Sequence, residues 1–307
     1  MSITSHKLSR RQFTQLMSAG ALSALAMPAS AQKDANALKA AFTGLEQKYQ
    51  GRLGLAALYS SNGVALASAR TMDYRGQERF PFCSTFKVLV ASAILKHSET
   101  HPKLLKERIR IREKDIVSWA PICEEFVGKS LDIASLCQAA MQHSDNTAAN
   151  LLIRRLGGLE AINQWARSLG DDHFRLDRWE TELNSALPDD ERDTTTPLAM
   201  AKDLQQLCLG NALNHASRLR LNDWMIHNKT GDQRIRAALP PSWKAGDKTG
   251  TGAYGTTNDI AVIWTTSGEA IILVIYFTQF DAKSKAQNDI MVEASKLVLN
   301  HWKLIQN

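Results

Sequence analysis

Apolar positions recur at helical spacing through the middle of the chain and at strand spacing towards both ends. Leu38, Ala41, Phe42 and Leu45 share one face and predict an amphipathic helix over 34–49. Residues 52–59, an Asn62-Gly63 turn and 64–69 read as a β-hairpin. After Met72 the pattern turns helical, with helices expected over 84–97, 131–143, 147–156, 159–169, 197–209 and 216–228. Gly157-Gly158 and Gly170 suit their stops. Residues 174–196 fit neither period, and an irregular stretch that long inside a domain tends to carry function. Strands are predicted again at 244–251, 258–266 and 270–277, before a closing helix over 284–303.

This order predicts an α+β fold of two lobes. Both chain ends (about 32–75 and 229–307) should join in one antiparallel sheet flanked by the first and last helices. The middle (about 76–228) should form an all-helical lobe, with the active site between the two.

Composition adds size and destination. The 307 residues are 44% apolar and 22% charged, enough for one large domain or two lobes around one site. No apolar run reaches the roughly 18–20 residues that span a bilayer, so no stable membrane association is expected. Residues 1–31 read as a signal peptide. Ser9-Arg10-Arg11-Gln12-Phe13 is a twin-arginine motif, 16–27 is moderately apolar, and Ala29-Ser30-Ala31 is a cleavage site of small residues. Export by the twin-arginine machinery, cleavage after Ala31 and a periplasmic or secreted product are therefore expected. Lys7, Arg10 and Arg11 would leave with the signal and no acid would, which takes the net charge from +6 to +3. The densest basic stretch, 106–114, alternates with Ile and Glu, so it reads as a solvated strand or loop and not as a nucleic-acid groove.

Cys83, Cys123, Cys137 and Cys208 form no disulfide framework, and the eight histidines form no paired ligand motif. Buried free thiols, no metal and no cofactor are expected. A site complete within one chain makes a monomer the default.

The chemistry starts at Ser84 and Lys87. Three residues apart at a helix start, they share a face, within reach of a hydrogen bond. A serine hydroxyl is a weak nucleophile until a base takes its proton, and a lysine becomes such a base when burial lowers its pKa. Free N–H groups of the first turn suit an oxyanion. Taken alone, Ser84 reads more readily as an N-cap than as a nucleophile, and Cys83 is a rival nucleophile with no histidine beside it. Three later elements decide the matter. Ser144-Asp145-Asn146 lies in a turn between helices, Lys248-Thr249-Gly250 lies on a strand, and Glu180-Thr181-Glu182-Leu183-Asn184 sits in the irregular stretch. S-x-x-K, S-D-N and K-T-G in that order form a signature of serine acyl-enzymes that recognise penicillin.

On these motifs the mature chain resembles class A serine β-lactamases, particularly over Cys83-Ser84-Thr85-Phe86-Lys87 and over Lys248 to Asp259. The resemblance implies hydrolysis of the β-lactam amide bond of penicillins and cephalosporins through a serine acyl-enzyme, and hence antibiotic resistance. It implies Ser84 as nucleophile, and Lys87, alone or with Glu180 through a water, as its base. Ser144 would protonate the leaving nitrogen beside Lys248, and the backbone N–H groups of Ser84 and Thr251 would form the oxyanion hole. Glu180 and Asn184 would serve the deacylating water. Asn146, Thr249, Thr251 and Arg234 would bind substrate, and Trp119 would stand either at the entrance or in the core. Arg178, Asp193 and Asn150 would support the catalytic loop.

Two departures stand out. Many members carry Pro after the loop glutamate, in a cis bond; here it is Thr181, with cis and trans both open. The bridges some members form would pair Cys83 with position 252 and Cys137 with position 91, but Gly252 and Ala91 stand there. Neither bridge can form, which argues against strong carbapenem hydrolysis. Two other readings share three of the motifs: a D,D-peptidase-like acyl transferase, and a lactam sensor that acylates without turnover. Glu180 argues against both, because penicillin-binding proteins lack such a glutamate and stay acylated.

Overall fold

The computed structural model describes residues 29–60 and 70–305; the expected signal peptide up to residue 28 and the expected Asn62-Gly63 turn and 64–69 strand lie outside the described residues. The chain divides into Met1–Ala37 and Leu38–Asn307. Helix α1 (Ala29–Tyr49) runs from the first unit into the second, and Ala31 lies in its first turn. Packing is described for the second unit.

After α1 come β1 (Gly51–Ser60) and β2 (Arg70–Tyr74). Three strands follow late in the chain: β7 (Lys244–Thr251), β8 (Thr257–Trp264) and β9 (Ala270–Gln279). Together these form one antiparallel five-stranded sheet in the order β2-β1-β9-β8-β7. The chain ends meet where β1 pairs with β9, from Gly51↔Gln279 to Ser60↔Ala270.

Side chains alternate across a strand, and both faces of this sheet are covered. Leu53, Leu55 and Ala57 of β1, with Leu273, Ile275 and Phe277 of β9, face α1 and the closing helix α8 (Asn288–His301), in a core with Phe42, Ile290 and Val298. Ala56, Leu58, Ile272, Val274 and Tyr276 face the other way, into the core of the helical part. Burial on both faces explains why β8 and β9 read as continuous apolar runs. Lys48 and Tyr49 of α1 tie to Glu293 of α8 at 2.6 and 2.7 Å.

The helical part comprises α2 (Lys87–Ser98), α3 (Ile133–Gln142), α4 (Asn146–Leu156), α5 (Leu159–Ser168), α6 (Pro197–Leu204) and α7 (His215–Ile226). Lys87 to Leu95 of α2 are buried all round, as a helix at the centre of a bundle must be. It packs against α3, α4, α5 and α7.

Several boundaries differ from the sequence reading. Residues 73 and 74, read as turning helical, instead extend β2, because their backbone pairs with Leu55 and Ala56 and Tyr74 donates to Glu46 at 2.7 Å. The helix expected from 131 starts at Ile133, since Leu131 belongs to β5 (Ser130–Asp132) and Asp132 caps the Ser135 N–H at 2.7 Å. The 197–209 helix ends at Leu204 and passes into a π turn over Gln205–Leu209. The last helix opens at Asn288, not at 284. Two small sheets went unpredicted: β3 (Phe80–Pro81) with β6 (Thr194–Thr195), and β4 (Arg108–Arg110) with β5. Within the basic stretch, residues 108–110 form β4 with Arg108 and Arg110 exposed, and Glu113–Asp115 form a 3-10 turn. Finally, α6 packs on β1 and β9, so the helical part and the inner sheet face share one core.

Candidate active site

The apolar segment after Phe80 enters α2 through a 3-10 turn, Cys83–Phe86, instead of starting directly as α-helix. Cys83 adopts φ +46°, and Ser84 follows it, only 8% exposed. The Ser84 hydroxyl does not cap the turn. It accepts from Lys87 Nζ at 2.9 Å and donates to Glu180 Oε1 at 3.3 Å. Lys87 Nζ also lies 3.0 Å from Glu180 Oε1, both side chains being fully buried. Its remaining acceptors are Ser144 O at 2.8 Å, Asn146 Oδ1 at 2.5 Å and Ser144 Oγ at 3.4 Å.

Ser144 precedes α4 with φ +57° and bridges two lysine side chains, for Lys248 Nζ donates to its hydroxyl at 3.0 Å. Burial lowers the Lys87 pKa, while the Glu180 carboxylate opposes that shift. Lys248 lies further below the lysine range, first through burial and then through the charge of Lys87. Two buried amines that share the Ser144 hydroxyl are costly to charge together, which favours the neutral form of one of them. The Cys83 thiol is the opposite case: burial, then the Glu180 charge, raises its pKa and keeps it an unreactive thiol. All four cysteines are buried and free.

The loop that carries Glu180 is fastened at both ends. Asn150 of α4 grips the Glu180 backbone, accepting its N–H at 3.1 Å and donating to its carbonyl at 2.9 Å. At the base, Asp193, fully buried, takes Arg178 Nε at 2.5 Å and the backbone N–H groups of Asp177 and Arg178 at 2.8 and 2.9 Å. Asn184 Nδ2 donates to Glu180 Oε2 at 2.6 Å, and the Glu180–Thr181 peptide is cis. Arg178→Ala would leave Asp193 buried with its counter-charge gone. Unfolding in urea should show a loss of about 3 kcal/mol, the low end for breaking a buried pair, because two backbone donors remain.

The β7 strand closes the other side. Gly250 permits the approach: a Cβ there would stand 2.7 Å from the Phe82 carbonyl. Asn258 of β8, buried, donates to Pro81 O at 2.8 Å and Phe82 O at 3.1 Å, holding the nucleophile turn against the sheet. Arg234 is buried. Its guanidinium bonds Thr251 Oγ1 at 2.8 Å, Gly250 O at 2.9 Å, Asn258 O at 2.6 Å and Asn288 Oδ1 at 2.9 Å.

These residues line one cleft of about 380 Å³, with Ser84, Ser144 and Asn146 on the helical side, Asn184 on the loop and Thr249 to Thr251 opposite. Trp119 stands at its rim, 62% exposed with φ +63°, and not in the core. Its indole donates to His143 O at 3.0 Å. The Asn146 side chain is already engaged, with Lys87 at one end and Ser118 O at 2.8 Å at the other. The structure thus gathers the candidate site residues around one cleft or its loop.

It also adds three. Thr230 lines the cleft, 2.5 Å from Thr249 Oγ1, and no pattern in the sequence marks it. Asp145 fixes the Ser144 turn by capping Ala148 N at 2.8 Å and accepting from the N–H groups of Ile122 and Cys123 at 3.0 and 2.9 Å. Asn258 is the third; it lay inside the Lys248–Asp259 segment without a role.

Comparison with known proteins agrees with this geometry. Residues 36–302 match the family described as the β-lactamase enzyme family. Beta-lactamase OXY-1 of Klebsiella oxytoca is 47% identical over 285 residues, 93% of this chain and 96% of that protein. Beta-lactamase CTX-M-97 of Escherichia coli is 47% identical over 270 residues, 88% and 91% of the two chains. Among solved structures, the β-lactamase of Desulfarculus baarsii superposes with a TM-score of 0.84 at 45% identity, covering 88% of this chain and 98% of that one. A class A β-lactamase reconstructed for the last common ancestor of Gram-negative bacteria gives 0.82 at 48% identity, covering 87% and 99%. With the family model matching nearly the whole chain and the motif residues assembled in one cleft, this chain belongs to the β-lactamase enzyme family, as a class A serine β-lactamase.

Proposed function

We propose that this chain opens the β-lactam ring of penicillins and cephalosporins by acylating and then freeing Ser84. One observation carries the reading: Ser84 Oγ, Lys87 Nζ and Glu180 Oε1 lie within 3.3 Å of one another in a buried cluster. A neutral Lys87 takes the Ser84 proton, and Oγ attacks the lactam carbonyl carbon. The backbone N–H groups of Ser84 and Thr251 hold the oxyanion. As the C–N bond breaks, the Ser144 hydroxyl delivers a proton to the nitrogen and is resupplied by Lys87 with the proton taken from Ser84, Lys248 holding the hydroxyl in place. Glu180 then deprotonates a water held with Asn184. That water attacks the ester, and Ser84 regains its proton. Thr249, Thr251 and Arg234 receive the substrate carboxylate, with Arg234 acting through the Thr251 hydroxyl. Asn146 keeps Lys87 in place and faces the amide side chain, and Trp119 walls the entrance. The direct test is loss of lactam absorbance with a penicillin and a cephalosporin in excess. Sustained turnover supports the reading, and a burst of one equivalent refutes it.

Lys87 and Glu180 can be told apart as bases for acylation. In Glu180→Gln the carboxylate that favours the Lys87 ammonium is gone, so the Lys87 pKa falls further. Acylation rises as Lys87 loses its proton, so the acidic limb of its rate profile should move to lower pH in stopped-flow measurements. A limb that disappears with the acylation rate would assign the proton transfer to Glu180.

Residues 1–31 direct export by the twin-arginine machinery, with cleavage after Ala31 and a periplasmic or secreted monomer as product. Four buried free thiols suit folding in a reducing compartment before export. Among the described residues, no helix is long and apolar enough to cross a membrane. Exported protein should begin at Gln32 by N-terminal sequencing.

A further inference from the structure

Outside the cleft, where α6 meets the turn after α5, two buried carboxyl groups line one small cavity. Asp203 of α6 is 1% exposed and Asp171 of the turn after α5 is 4% exposed. Asp171 Oδ1 is used, accepting from the N–H groups of His173 at 2.6 Å and Phe174 at 2.9 Å. Asp171 Oδ2 and both oxygens of Asp203 meet no donor. They border a small cavity of about 150 Å³. An unpartnered buried carboxylate is costly, and here the two carboxyl groups line the same small cavity.

The charges around the pair leave this unrelieved. Arg167 of α5 spends its guanidinium on the carbonyls of Asp171 and Phe174. Lys202 of α6, Asp172 and His173 line the cavity but are exposed. Arg79 bonds the His173 carbonyl, and Tyr276 of β9 approaches from the sheet as a neutral phenol that bonds Thr85. Among the described residues, no group of three or more His, Cys, Asp or Glu is placed to hold a metal ion. Two acceptors in one small cavity can be joined by a proton.

We propose that Asp203 and Asp171 share one proton at neutral pH, an acid–carboxylate pair that locks α6 to the turn leading into the Glu180 loop and opens when that proton is lost. Burial, and next the neighbouring Asp171 charge, push Asp203 well above the carboxylate range, in the direction the geometry requires. The link to the active site is short. Phe174, held by Asp171, stacks on Phe82 at 4.9 Å between centroids and 15° between planes, and Phe82 stands two residues before Ser84.

The sign follows from proton linkage. The folded chain holds a proton that the unfolded chain has released, so folding weakens as pH rises from the ordinary aspartate range through the raised value of the pair. The folding constant drops by up to tenfold per pH unit in that window. A second buried pair, Asp247 with Asp259, titrates in the same direction. The readout is therefore the difference between wild type and variant in urea unfolding from pH 5 to 9. Asp203→Asn replaces the proton by an amide donor to Asp171 Oδ2 and should lose this component, so the two curves should converge at low pH and diverge with rising pH. Asp171→Asn should lose it too. Parallel curves for both variants would overturn the proposal. Difference infrared spectra read the proton directly: native wild type at pH 7 should show a protonated-acid carbonyl band that Asp203→Asn lacks, and a spectrum without one would overturn it. So would stabilisation by added calcium of wild type but not of Asp203→Asn, which would make the missing partner a cation.

Discussion

Replacing Ser84 by Ala should abolish β-lactam hydrolysis, by a factor on the order of 10⁶, the loss a serine hydrolase suffers without its nucleophile. The fold should survive. Lys87 would lose one acceptor and keep Glu180, Asn146 and the Ser144 carbonyl, so no buried donor is stranded. Stability measured by urea unfolding should move by about 1 kcal/mol or less, the net worth of a single hydrogen bond. Turnover retained in Ser84→Ala would relocate the nucleophile. Cys83 offers no refuge, because its thiol is buried and held protonated.

Glu180→Gln should separate the two halves of the reaction. The amide keeps the shape of the carboxylate and can still bond Asn184 and Lys87. It cannot take a proton from water. Deacylation should fall by about 10²–10⁴, the usual contribution of a positioned general base, while Ser84 still reacts. A penicillin should then leave a stable adduct on nearly every molecule, visible by intact mass. The variant should also fold, because Lys87 already lies below the lysine range and can meet the loss of its counter-charge by staying neutral. Rapid release of the adduct would mean that another group serves the water.

The site was legible because its chemistry sits in short motifs. A nucleophile and its base three residues apart need only a helix start to meet, and S-D-N and K-T-G carry their own spacing. The sheet was legible too, since β8 and β9 are long enough to show their pattern. What escaped has physical reasons. β3 and β6 have two residues each, too few for any period. Asp73 and Tyr74 hold their strand by backbone pairing with β1, which a side-chain pattern does not display. Asn258 and Thr230 act through contacts with residues 176 and 19 positions away, which only the folded chain reveals. The burial of Arg234 followed the same rule, its partners lying on β7, β8 and α8. The Glu180–Thr181 bond, open in the sequence, is cis.

The measurement closest to the central claim is intact mass spectrometry of wild type mixed with a penicillin, followed in time beside product absorbance, with peptide mapping of the adduct. A transient adduct on Ser84 with continuing ring opening is the predicted result. A persistent adduct without turnover, or turnover with no adduct on Ser84, would contradict it.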